Sequence, residues 1–248
     1  MCAICGNPLL THASNYSRRN FLKVIGGAGL ALGVAGGGLM AAPSDSPPPK
    51  PQNVLTPEQA LARLKKGNSR YVEGVAKRHD FIAEREALVG GQNPYAGVLS
   101  CADSRIAPEY AFDAGRGDLF VVRVAGNFAD TDGIASFEYA VKFLGTTLLV
   151  VLGHDKCGAV GAAIDAEKGA TLPGHLPELV EHIIPAVKTA KGQPGDDLLA
   201  KAIKENVLLN IEALKAASPI LSQAVTEKKI MVVGGIYKLD DGRIEWLG

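Results

Sequence analysis

Three short, almost uninterrupted apolar runs constrain this chain more than any other feature. They are 96–100 (Ala-Gly-Val-Leu-Ser), 119–124 (Leu-Phe-Val-Val-Arg-Val) and 147–152 (Thr-Leu-Leu-Val-Val-Leu). Such runs suit strands buried on both faces, as in a parallel sheet. Between the second and third, 134–144 sets Ile134, Phe137, Tyr139, Ala140, Val141 and Leu144 at broadly helical spacing, the alternation of a βαβ unit. Upstream, Thr56 reads as an N-cap, with Pro57 and Glu58 in the first turn and Leu61, Leu64 and Tyr71 following; a short helix is expected at 83–88. Downstream, helical stretches at 159–167, 177–190 and 197–216 precede a last strand at 230–237. A hairpin across Asp240-Asp241-Gly242 then leads to 244–246. The expected fold is one α/β domain over 56–248. It has a mostly parallel central sheet flanked by helices, a helical N-terminal arm and a C-terminal antiparallel hairpin strand.

Composition narrows the class. In 248 residues, 47% hydrophobic and 21% charged content excludes a disordered chain. Lys+Arg and Asp+Glu both number 26, so there is no positive surplus of the kind a nucleic-acid binder concentrates. The N-terminus reads as an address. Ser17-Arg18-Arg19-Asn20-Phe21-Leu22-Lys23 is followed by a glycine-dotted apolar run over 24–40, then Ala41-Ala42. A basic region, an apolar region and small residues mark an export signal, and the arginine pair is similar to a twin-arginine signal. Seventeen residues, seven of them glycine, are a poor membrane span. The expectation is a signal at 1–42, a proline-rich linker at 43–55, delivery by the twin-arginine machinery and a soluble periplasmic product. Loss of Arg18, Arg19 and Lys23, with no acid among 1–42, leaves 23 basic against 26 acidic residues, a formal charge of −3. Cys2 and Cys5 leave with the signal, and their Cys-x-x-Cys spacing has no second half elsewhere.

The two cysteines that remain sit at matching places. Cys101-Ala102-Asp103-Ser104-Arg105 follows the first strand directly, and His154-Asp155-Lys156-Cys157 follows the third, 53 residues on. In open parallel sheets, ligands bind beyond the carboxyl ends of the strands where strand order reverses. A 2-1-3-4 order would bring both segments to one crevice. Two sulfurs and an imidazole there form a recognised catalytic zinc set with a fourth position open. The plainer alternatives are two buried small hydrophobes or, in an oxidising compartment, a disulfide. Asp103 is placed to reach a metal or its bound water, and Arg105 offers a planar fork for that carboxylate. The chemistry that follows is metal-assisted generation of hydroxide near neutral pH. The glycine spacing over 153–158 looks like a phosphate loop, but Ala159-Val160 stand where Lys-Ser/Thr is required, so that reading fails. His79, His175 and His182 read as surface residues or proton relays, with nothing in the sequence to fix their geometry.

Cys-x-Asp-x-Arg after one strand and His-x-x-Cys-Gly after another resemble the β-class carbonic anhydrases, specifically the plant-like subclass. The flanking text is similar too: Pro94; Gly117-Asp118-Leu119-Phe120-Val121-Val122-Arg123 running on to Ala125-Gly126-Asn127; and Ser136-Phe137-Glu138-Tyr139-Ala140. The resemblance implies one zinc ion per subunit on Cys101, His154 and Cys157. It implies Asp103 and Arg105 as the dyad that orients the zinc-bound hydroxide, with Asp103 as a fourth ligand in a closed state. Gln92, nine residues before Cys101, matches a glutamine that hydrogen-bonds substrate. Phe120 and Tyr139 match an apolar pocket wall, with Val98 as a neighbour, and Gly158 a close-packed loop glycine. The implied reaction is reversible hydration of carbon dioxide to bicarbonate, in a pocket shared across a homodimer or within a tetramer. Two alternatives remain: hydrolysis of carbon disulfide or carbonyl sulfide on the same fold, and a non-enzymatic periplasmic thiol or metal-carrying protein.

Overall fold

The computed structural model describes residues 48–217 and 219–247; the export-signal segment with Cys2 and Cys5, and the first part of the proline-rich stretch, lie outside them. Five strands form one sheet in the order β2-β1-β3-β4-β5. They are β1 (Ala96–Ser100), β2 (Leu119–Arg123), β3 (Leu148–His154), β4 (Met231–Tyr237) and β5 (Ile244–Leu247). The first four pair in parallel, and β5 runs antiparallel to β4. The chain reverses its direction of travel across the sheet at the β1–β3 boundary.

Every residue of β1 and β3 is buried. Period-two alternation explains why these strands read as continuous apolar runs. Leu99, Leu149 and Val151 face one core, with α4 (Thr131–Leu144), α5 (Gly158–Ala166), α7 (Ile184–Lys191) and α8 (Leu198–Ala216). Val98, Leu148, Val150 and Leu152 face a second core, closed by Ala60 and Leu64 of α1 (Pro57–Val72) and by Phe112. β2 is largely half-buried, and among the described residues no strand lies on its outer side.

Local chemistry sets the helix boundaries. Thr56 caps α1 in a reciprocal box with Gln59, and Pro57 takes the first position, where no N–H is required. Asp80 accepts from the amides of Ile82 and Ala83, so α2 spans Phe81–Ala87 rather than beginning at 83. The single helix expected over 177–190 is two, α6 (Leu176–Glu181) and α7. Pro185 has no N–H to donate to the carbonyl of Glu181, and the first helix stops there. Two short helices absent from the sequence reading, α3 (Pro108–Ala111) and α9 (Pro219–Thr226), each begin at a proline. The described end of the proline-rich stretch is docked rather than free. Lys50 pairs with Asp118, and the buried Asn53 donates to the carbonyls of Asn93 and Gly117. The residues from Lys50 onward therefore pack against the domain.

Candidate metal centre

The register of the sheet delivers the site. Ser100 lies opposite Arg123 on one side and Leu152 on the other, so Cys101 leaves β1 beside the last turn of β3. His154 is the final residue of β3 itself, wholly buried, and Cys157 is the N-cap of α5. The ligand atoms of Cys101, His154 and Cys157 lie within 4.8 Å of one another. Both cysteines are buried free thiols, so no disulfide joins them.

The group has the electronic character of a cation site. His154 Nδ1 donates to the Asp155 carbonyl at 2.8 Å, which directs the lone pair of Nε2 into the cluster. That Nε2 is buried and has no hydrogen-bond partner. Buried polar atoms are ordinarily satisfied, so an unpartnered nitrogen within 4.8 Å of two sulfurs suits a cation site. Contact with the Cys157 thiol, together with His154 and the Gly126 and Asp103 amides, draws the Cys101 thiol below the usual thiol range. The same contact and burial push Cys157 upward, against the amides of Val160 and Ala159 at the start of α5. A divalent cation bound by two sulfurs takes them as thiolates, so binding would release their protons. The donor set of two sulfurs and one imidazole could hold such an ion with one position left open.

Asp103 stands at the open side, its Oδ2 at 3.8 Å from His154 Nε2. Arg105 grips both carboxylate oxygens: Nε donates to Oδ1 at 2.9 Å and Nη2 to Oδ2 at 2.7 Å, and the Arg105 amide also reaches Oδ1. These bonds hold the Asp103 carboxyl far below the usual range, so it is an acceptor at any physiological pH. Arg105 Nη2 also reaches the Lys156 carbonyl at 3.5 Å, touching both motif segments.

Arg123 stood in the sequence only as part of the flanking text of the resemblance, with no role assigned. Its guanidinium donates to the carbonyls of Cys101 (3.0 Å), Asp103 (2.8 Å) and Ile106 (2.9 Å), clamping the whole segment between them. The same holds for Gly126, whose amide donates to Cys101 Sγ at 3.3 Å.

The expected substrate residues are not assembled within one chain. Gln92 is exposed at the opposite end of β1, in a recess with Leu88–Gln92 and Gly117. Phe120 pairs with Gly97, about 10 Å short of the strand ends at 3.3 Å per residue. It packs on Tyr139 (6.5 Å between centroids), which meets Phe143 (5.4 Å). Tyr139 and Phe143 are 49% and 59% exposed, an aromatic face beside the edge strand β2. Val98 is sealed in the second core. Gly158 is not close-packed: a Cβ there would meet nothing within 4 Å. His182 stacks on Phe128 at 4.2 Å, and His175 is exposed. His79 bonds Glu84 at 2.9 Å beside a cavity of about 770 Å³, near the start of β2 and away from the thiols.

Known proteins share this architecture. A family model described as carbonic anhydrase matches residues 96–244. Carbonic anhydrase 2 of Mycobacterium tuberculosis is 40% identical over 189 residues, 75% of this chain and 91% of that protein. A carbonic anhydrase of Mycolicibacterium smegmatis is 39% identical over 194 residues, 76% and 92% of the two chains. Among solved structures, the β-carbonic anhydrase CafA of Aspergillus fumigatus superposes with a TM-score of 0.60 at 25% identity, covering 77% of this chain and 89% of that one. The β-carbonic anhydrase CcaA does so at 0.59 and 26%, covering 77% and 92%. A parallel sheet that brings two thiols and an imidazole to one switch point, with relatives matching along most of their length, leaves one assignment: the chain belongs to the β-class carbonic anhydrase family.

Proposed function

We propose that this protein is a zinc-dependent carbonic anhydrase of the plant-like subclass, interconverting carbon dioxide and water with bicarbonate and a proton. The observation that carries the reading is the Asp103–Arg105 ion pair poised beside three converging ligands, Cys101, His154 and Cys157. A zinc ion held by those three supplies Lewis acidity, which lets water be deprotonated near neutral pH. The protein's own groups do the rest. Asp103, kept ionised by Arg105, accepts a hydrogen bond from the reacting water and so fixes which lone pair faces the substrate carbon. Because Arg105 occupies both carboxylate oxygens, the geometry favours an open resting site over one with Asp103 as fourth ligand. Arg123 holds Asp103 at its post through the backbone.

Carbon dioxide is small and apolar, and its pocket needs a wall and one donor. We assign these to Phe120, Tyr139 and Gln92 of a second copy, packed across the free edge of β2 in a dimer or higher assembly. The exposed Tyr139–Phe143 face beside that edge supports this. Gly158 would border the same pocket, its open side available to the partner. Export by the twin-arginine route to the periplasm rests on the Arg18-Arg19 segment; no helix among the described residues is long and apolar enough to cross a membrane. Stopped-flow carbon dioxide hydration by protein lacking residues 1–42 tests the reading. Zinc-dependent turnover supports it; turnover of carbonyl sulfide or carbon disulfide with inert carbon dioxide refutes it.

A further inference from the structure

We propose that Asn206 and Asn210 of α8 are positioning residues for Cys101, acting through the Gly126 amide; this rests on reading Cys101 as a metal ligand. Both amides are buried on the face of α8 that carries Ile203, Val207, Ile211 and Leu214. Burial alone favours an aliphatic side chain at such positions, because a buried amide is costly unless bonded. The bonds these two make lead towards the metal centre. Asn206 Nδ2 donates to the Gly126 carbonyl at 2.8 Å. Asn210 Nδ2 donates to the Asn206 carbonyl at 2.7 Å and to Asn206 Oδ1 at 3.2 Å, so the Asn206 amide keeps its nitrogen turned to Gly126. Asn210 Oδ1 accepts the Ala129 amide at 2.7 Å. The segment 126–129 is therefore tied to one helix at both ends.

Gly126 can occupy this place only as glycine. Its φ is +88°, and a Cβ would lie 2.4 Å from Ile183 Cδ1. With its carbonyl fixed by Asn206, its N–H points at Cys101 Sγ, 3.3 Å away. The path runs from Asn210 to Asn206, to the Gly126 carbonyl, and through the Gly126 amide to the sulfur. An amide hydrogen bond to a thiolate fixes the sulfur's direction and tempers its donation to a metal.

The test uses the full chain loaded with zinc or with cobalt(II), in natural form and as Asn206→Leu, Asn206→Asp and Asn210→Leu. Competition with a chromophoric chelator reads zinc affinity, and the sulfur-to-cobalt charge-transfer band reads the Cys101 sulfur. Outer partners of metal ligands typically contribute about tenfold to a hundredfold in affinity. We expect Asn206→Leu and Asn206→Asp to weaken zinc binding at least about tenfold and to move the band to longer wavelength. Leu214→Ala, fully buried on the same helix, should lower the melting temperature and leave both metal readouts unchanged. Asn206→Asp keeps the shape while removing the donor, and carries the test if Asn206→Leu does not fold. Asn206 variants that lose stability as Leu214→Ala does, with natural affinity and an unmoved band, overturn the proposal. A natural chain that holds neither zinc nor cobalt overturns the metal-centre reading itself, and is seen before any variant is compared.

Discussion

Replacing Arg123 by leucine tests how the Cys101–Ile106 segment is held. The guanidinium donates three hydrogen bonds to main-chain carbonyls, at 3.0, 2.8 and 2.9 Å. A hydrogen bond from a charged donor contributes about 1.5–3 kcal/mol when shielded. Arg123 is an exposed residue, so water reclaims part of this, and about 1 kcal/mol per bond is the reasonable figure. Loss of all three should cost roughly 2–4 kcal/mol, which in a domain of this size lowers the melting temperature by roughly 4–16 °C. Function should suffer beyond stability, because Asp103 hangs from one of these carbonyls. A displacement of about 1 Å at a positioned group costs on the order of a hundredfold in rate. Arg123→Lys should recover only part of both losses, since one ammonium cannot span three carbonyls. Differential scanning calorimetry and stopped-flow hydration, run on the same zinc-loaded samples, read the two effects separately. An Arg123→Leu enzyme that melts and turns over like the natural chain would refute the clamp.

Asp103→Asn should retain its zinc and lose about two to four orders of magnitude in turnover, measured with metal content on one preparation; normal turnover would remove Asp103 from the mechanism. The Asp103 carboxyl lies below its ordinary value, mainly because of Arg105. The stability this pair contributes is therefore present above the unfolded carboxylate pKa, near 3.9, and lost as pH falls through the depressed folded value. Acid titration of the melting temperature should show that loss in the natural chain, and Arg105→Leu should abolish it. Gln92→Ala and Phe143→Asp probe the partner's share of the pocket. The first should slow catalysis with metal intact, and the second should shift sedimentation toward monomer; an unchanged assembly would leave β2 without its proposed neighbour.

Much of the fold was legible because burial on both faces leaves a direct trace in residue type: β1 matched its apolar run end to end, and β3 was displaced by one or two residues. The convergence of Cys101, His154 and Cys157 was legible because two short motifs followed two such strands. What stayed hidden has physical reasons. The break between α6 and α7 depends on one missing amide proton at Pro185, a local effect inside an otherwise helical pattern. Arg123 acts on main-chain carbonyls, which carry no signature in the sequence. Asn206 and Asn210 show only as two amides four residues apart on an apolar helix face, and their meaning appears once the Gly126 segment lies against them. Gln92, Phe120 and Tyr139 were visible as matches, yet a single chain holds them away from the thiols.

The proposed function requires that Cys101, His154 and Cys157 grip one catalytic metal ion. Elemental analysis paired with carbon dioxide hydration on the same purified sample tests it most directly. One zinc per chain is expected, with hydration that disappears, together with the metal, in Cys101→Ser. Active protein without bound metal, or a Cys101→Ser variant that keeps both zinc and turnover, would contradict it.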